Sequence, residues 1–126
     1  MLLVDSSVWI ESEKRDVGLR DLSDQQELAV CPPVVYEVLR GATTQARYER
    51  ARRALLLTKM LDAQVPLERF EQAANLYLRC HHAGYTVQGF DCLIAASAIA
   101  NAAEILHRDG DYDVIAKVAP LRTRRI

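Results

Sequence analysis

The sequence predicts an α/β domain with a short, mainly parallel sheet, and three observations carry that prediction. Short apolar runs alternate along the chain with longer segments of helical periodicity, the pattern of strand–helix–strand units. The apolar runs (LLV, ELAVC, EIL) are continuous instead of alternating, as in strands covered on both faces. The chain has 126 residues, half of them hydrophobic, which suits one domain with its own core, residues 1–126.

Taken in order, Leu2–Asp5 reads as a buried strand ending at a carboxylate. Ser6–Glu13 reads as a short helix with Ser6 or Ser7 as its cap. Residues 14–26 are polar apart from Val17, Leu19 and Leu22 and fit a loop or short helix. Glu27–Cys31 is a second strand, stopped by Pro32-Pro33, with Pro33 suited to the first helical position. The helix VVYEVLR then runs to Gly41. Thr43–Met60 is a long helix, with Tyr48, Ala51 and Leu55 on one stripe and Arg47, Arg50 and Arg53 on another. A minimal third strand is expected at Ala63–Pro66. An amphipathic helix follows at Glu68–Ala83, with Phe70, Ala73, Ala74 and Tyr77 inward, ending at Gly84. Residues 85–90 form a loop, and Asp91–Ala103 a buried helix. Glu104–His107 is a fourth strand, Tyr112–Val118 a short helix, and the basic tail 121–126 an edge strand.

Composition excludes several classes. Gly 5 and Pro 4 rule out collagen-like and low-complexity chains, and a net charge of -1 with this apolar content disfavours disorder. No apolar run approaches the roughly 18 residues of a membrane span, and Leu2–Val4 is too short for a signal peptide, so the expected location is the cytoplasm. Cys31, Cys80 and Cys92 form no CxxC and read as reduced packing residues. Cys80-His81-His82 are consecutive on a helix and diverge, which disfavours zinc. HExxH, P-loop and GxGxxG motifs are absent. Thirteen of the sixteen basic residues are arginine, the better partner for phosphate or carboxylate.

Four acids stand out because apolar residues flank them. Asp5 follows LLV, Glu37 lies inside VVYEVL, Asp91 opens CLIAASAIA, and Asp109 follows the strand EIL. In an open parallel sheet, strand C-termini and helix N-termini share one edge, where ligands bind near the reversal of strand order. All four acids map to that edge. Carboxylates gathered there need protons or a cation, and an all-oxygen set suits Mg²⁺ or Mn²⁺. Each has a purely structural account as well. Asp91 and Asp5 fit helix caps, Glu37 fits a surface pair with Arg40, and Asp109-Gly110 fits a turn.

The stretches LLVDSSVWIE, PPVVYEVLRGA, GFDCLIAASAIA and EILHRDGDYD, in this order and spacing, resemble the PIN-domain ribonucleases, and within them the VapC-type toxins. The resemblance spans essentially the whole chain. It implies a three-layer α/β/α fold and an acid cluster that binds Mg²⁺ or Mn²⁺ and hydrolyses RNA. By that correspondence Asp5, Glu37, Asp91 and Asp109 are the catalytic acids, with Asp5, Asp91 and Asp109 holding metal most directly. Asp111 is the alternative fourth acid, since some members carry it two residues later. Ser7 holds the metal-site loop by hydrogen bonding. His107 departs from the family's Thr, Ser or Asn, and is open to bonding a phosphate or carboxylate, to titrating, or to being merely a polar strand end.

The resemblance also implies a homodimer, a VapB-type antitoxin and a tRNA or ribosomal RNA substrate. Arg47, Arg50 and Arg53 are candidate phosphate contacts, against a plain solvated helix face. Two other functions compete. A haloacid-dehalogenase-like phosphatase also starts with a strand ending in Asp, but needs a second Asp where Ser7 stands. A PIN-like module that binds metal or a partner without cutting RNA is the non-enzymatic alternative.

Overall fold

The computed structural model describes residues 1–126. Its chain order is β1 (Leu2–Val4), α1 (Ser6–Ser12), α2 (Leu19–Gln25), β2 (Leu28–Val30), α3 (Pro32–Arg40), α4 (Gln45–Leu56), β3 (Lys59–Met60), α5 (Leu67–His82), α6 (Gly89–Ala100), β4 (Glu104–His107), α7 (Gly110–Ile115) and β5 (Thr123–Arg125). The five strands form one sheet in the order β3-β2-β1-β4-β5, and every pairing is parallel. Leu2 sits opposite Leu28 on one side and Glu104 on the other. The chain steps outward from β1 through β2 to β3, then returns to β4 on β1's other flank. The strand order therefore reverses between β1 and β4, and a crevice opens at their C-terminal ends.

Alternation along β1 divides the core. Leu2 and Val4, with Leu28, Leu106 and Val8, pack beneath α1 and α2. Leu3, Ala29 and Ile105 face the larger cluster, which includes Ala73, Leu76 and Cys80 of α5, Ile94 and Ala98 of α6, and Tyr112 and Ile115 of α7. Helices thus cover both faces, which explains the continuous apolar strands. Residues 91–98 of α6 are all buried, and Ala95, Ala96 and Ala98 let α5 and the sheet approach closely. All three cysteines are free and buried. Burial pushes the Cys31 and Cys92 thiols up to about 12, so they pack as small hydrophobes.

Several expectations are corrected. The third strand is Lys59–Met60, not 63–66: it pairs with Ala29 and Val30, and Leu61 N–H donates to Val30 O at 2.8 Å. The helix expected to reach Met60 ends at Leu56, where Thr58 Oγ1 donates to Leu55 O at 2.6 Å. The inward face of α5 carries Ala73, Leu76 and Cys80, whereas Phe70, Ala74 and Tyr77 are exposed. Both faces of that helix hold apolar residues, and the stripe of Ala73, Leu76 and Cys80 is the one that meets the core. Asp5, not Ser6 or Ser7, caps α1, and Pro32, not Pro33, takes the first position of α3. The helix expected from Asp91 starts at Gly89, so Asp91 is its third residue and not its cap, which is Gln88.

Candidate metal centre

Asp5 leaves β1 and turns back to cap α1. Its Oδ2 accepts from Ser7 N–H at 3.0 Å and from Ser7 Oγ at 2.5 Å, and its Oδ1 accepts from Tyr112 Oη at 2.6 Å. Ser7 Oγ in turn accepts from Arg108 N–H at 3.1 Å, tying the turn after β1 to the turn after β4. A carboxylate offers about four lone-pair sites, so three bonds leave one free. Capping a helix and holding a cation are therefore compatible roles for Asp5.

Glu37 lies in the second turn of α3 and accepts from Ser6 Oγ at 3.2 Å. It forms no ion pair with Arg40, whose guanidinium lies over the Tyr36 ring, 5.5 Å from its centroid. Burial raises the Glu37 carboxyl above its usual range, and the Asp5 charge raises it further.

Asp91 is 5% exposed. Its Oδ1 lies 3.3 Å from Tyr112 Oη, and its buried Oδ2 has no hydrogen-bond partner. Burial, then Asp111 and Asp109, and finally Asp5 push its pKa up to about 9. Tyr112 has one hydroxyl proton, and the shorter bond directs it to Asp5. The contact to Asp91 is then best made with Asp91 protonated and donating. Burial and the neighbouring carboxylates also hold Tyr112 well above the usual phenol range, so it stays a donor.

Asp109 caps α7, accepting from Asp111 N–H at 3.0 Å, and Asp111 accepts from Gln88 N–H at 2.9 Å, which fixes the entry to α6. One oxygen from each of Asp5, Glu37 and Asp91 lies within 4.8 Å of the others, and the same holds for Asp91, Asp109 and Asp111. All four sequence-derived acids thus meet at the crevice, along with Asp111. Asp5 and Asp109 do not share a triple; Asp91 belongs to both. No lysine, arginine or histidine forms an ion pair with any of the five. Arg108 is drawn to Glu11 instead. Closely set carboxylates without a basic partner, two of them buried and one with an orphaned oxygen, fit a hard divalent cation.

His107 is fully buried. Its Nδ1 accepts from Asp109 N–H at 3.1 Å, which puts the proton of the neutral ring on Nε2. Nε2 lies 3.2 Å from Asp113 Oδ1 but off the line of a good hydrogen bond, and Arg125 reaches the other Asp113 oxygen at 2.9 Å. His107 therefore holds the turn that presents Asp109, and its burial keeps it from an RNA phosphate. Tyr112 was not singled out from the sequence. It stands three residues after Asp109 at the start of a six-residue helix, too short for periodicity to mark it.

Arg47 and Arg50 line a cleft of about 510 Å³ with Trp9, Ser12, Glu13 and Lys14, while Arg53 lies outside it. A second cavity, about 610 Å³, lies between α5 and the end of α6. Neither includes the five carboxylates. The acids sit instead at the C-terminal edge of the sheet, where β1 and β4 end.

Residues 2–118 match the PIN domain family. The VapC ribonuclease Mb1587 of Mycobacterium bovis is 35% identical over 130 residues, covering 97% of this chain and 96% of that protein. Ribonuclease VapC11 of Mycobacterium tuberculosis matches with the same identity and coverage. A chain in the crystal structure of VapBC2 from Rickettsia felis, bound to a DNA fragment from their promoter, superposes with a TM-score of 0.80. It covers 99% of this chain and 98% of that one at 14% identity, a likeness of fold. The chain belongs to the PIN domain family, among the VapC ribonucleases.

Proposed function

We propose that the chain is a metal-dependent endoribonuclease. It hydrolyses phosphodiester bonds of structured RNA, tRNA or ribosomal RNA, and is the cytoplasmic toxin of a toxin–antitoxin pair. The observation that carries this reading is the orphaned, buried Asp91 oxygen within a set of carboxylates that no basic side chain neutralises. The 35% identity to VapC ribonucleases supports the same reaction.

Asp5, Asp91 and Asp109 would hold Mg²⁺ or Mn²⁺, with Asp91 common to the Asp5–Glu37 group and the Asp109–Asp111 group. A bound divalent cation lowers the pKa of water and offsets charge on phosphate oxygens. Glu37 keeps a carboxylate at the rim with an elevated pKa, suited to orienting the attacking water and taking its proton. Ser7 and Tyr112 fix the Asp5 carboxylate, and Tyr112 also meets Asp91. Arg47, Arg50 and Arg53 bind the RNA backbone away from the cut. Residues 1–126 act as one domain. The partners are a VapB-type antitoxin and a second copy of the chain. The exposed apolar face of α5 (Leu67, Phe70, Tyr77 and Leu78) supports the dimer, and the VapBC pair of the superposed structure supports the antitoxin. No helix is long and apolar enough to cross a membrane.

The test is cleavage of total cellular RNA by the wild-type chain and by Asp5→Asn, in Mg²⁺, in Mn²⁺ and in EDTA. Discrete fragments from the wild type alone, absent in EDTA, are expected, and their ends identify the substrate. Folded, partner-free protein that cuts nothing in either metal would shift the reading to a partner-binding module.

A further inference from the structure

The residue before each of two clustered acids is aromatic. Tyr36 precedes Glu37 on α3, and Phe90 precedes Asp91 on α6. Their rings meet across the two helices at a centroid distance of 5.7 Å and an interplanar angle of 69°, an edge-to-face pair. Both rings are nevertheless open to solvent, Tyr36 at 55% and Phe90 at 41% exposure, and neither belongs to the core. Arg40 adds a guanidinium over the Tyr36 ring. A pair of rings has four faces. The edge-on contact uses one and Arg40 another, so π-surface remains for a planar ligand.

We propose that Tyr36, Phe90 and Arg40 form a stacking platform for the base of one unpaired nucleotide beside the scissile phosphate. The proposal rests on the ribonuclease reading above. Consecutive helix residues diverge, so the rings flank the carboxylates instead of joining them, on backbone positions about 3.8 Å from those of Glu37 and Asp91, less than the length of a nucleotide. The chemistry selects the occupant. Sequence-selective RNA binding commonly splays out unpaired bases onto aromatic rings and arginine planes, and Arg40 supplies the positive charge that an acidic crevice otherwise denies to RNA. The platform gives the site preference for a looped-out nucleotide without any base-reading motif elsewhere in the chain.

The experiment uses the full-length protein and a short RNA spanning a cut mapped in total cellular RNA. It compares wild type with Tyr36→Leu and Phe90→Leu, and with the ring-keeping Tyr36→Phe and Phe90→Tyr. Thermal unfolding checks that each variant folds. The leucine variants are expected to raise KM about tenfold and to lose selectivity for the nucleotide next to the cut, while the ring-keeping variants stay within about twofold of wild type. Leucine variants that cut the same nucleotides with unchanged KM would overturn the platform and leave the ribonuclease reading intact. The same holds if they lose self-association alone, which would assign the pair to an interface between copies. Ring-keeping variants as impaired as the leucine ones would also overturn it. A wild type that cuts no RNA would overturn the ribonuclease reading, and the platform with it.

Discussion

Two aspartates largely shielded from water, Asp62 and Asp91, differ in what surrounds them. Asp62 follows β3, with its side chain 10% exposed. Its Oδ2 accepts from Arg69 Nε at 2.8 Å, and its Oδ1 lies 3.4 Å from Asn101 Nδ2. Burial alone would raise its pKa, but the hydrogen bond from Arg69, with Ser97 and Asn101 beside it, outweighs that and lowers it. Asp91 is more deeply buried, has no basic partner, keeps one oxygen orphaned, and is raised to about 9. The first carboxylate belongs to the scaffold, tying β3 to α5 and α6. The second is held at an energetic cost that the fold itself does not repay, and a cation would repay it. Burial of an acid therefore says little about function until its compensation is counted.

Exchanging each acid for its amide separates the two regions most sharply. Asp91→Asn is expected to reduce metal-dependent RNA cleavage at least about 100-fold, since it weakens the cation site. It should leave the metal-free protein at pH 8 as stable as wild type or more so. Asp62→Asn is expected to do the reverse, costing about 1–3 kcal/mol of stability by breaking a charged hydrogen bond. The folded protein should still cut. Urea unfolding beside cleavage rates checks both.

The pH dependence carries the same contrast. Folded Asp91 holds its proton to about pH 9, against 3.8 for an ordinary Asp. The stability it contributes is fully present below pH 3.8 and is lost as pH rises through 9. The Asp62 contribution runs the other way, present above 3.8 and lost as pH falls through its lowered value. In metal-free protein, Asp91→Asn should flatten the decline in melting temperature on the alkaline side, and Asp62→Asn the decline on the acid side. Saturating Mg²⁺ or Mn²⁺ should raise the wild-type melting temperature more at pH 8 than at pH 5, because the cation must displace the Asp91 proton.

Smaller effects belong to the groups that orient the acids. Tyr112→Phe removes the buried hydroxyl that donates to Asp5 and meets Asp91, and is expected to cost about 1–2 kcal/mol without metal, less with it. Ser7→Ala breaks the bridge from Asp5 to Arg108 N–H and should weaken metal affinity about tenfold, read from a Mn²⁺ titration.

Much of this was legible in the sequence. Asp5, Glu37 and Asp91 adjoin or interrupt apolar segments, Asp109 follows one, and parallel topology sends all four to one edge. The choice between Asp109 and Asp111 was not legible, because a helix starting at Gly110 brings both carboxylates to Asp91. Tyr112 was hidden because a hydroxyl on a short helix leaves no periodic trace. The position of β3 was misread because its two residues form a strand only through pairing with Ala29 and Val30, a long-range contact. Size alone sends Phe70 and Tyr77 inward, whereas the buried face of α5 is Ala73, Leu76 and Cys80. His107 showed its polarity in the sequence but not its full burial.

The most direct test of the account is a calorimetric titration of Mn²⁺ at pH 7 into the wild-type chain, Asp91→Asn and Asp62→Asn, in two buffers of different ionisation enthalpy. The wild type and folded Asp62→Asn are expected to bind with release of a proton, and binding is expected to be lost or strongly weakened in Asp91→Asn. Unchanged binding in Asp91→Asn, or equal loss in folded Asp62→Asn, would contradict it.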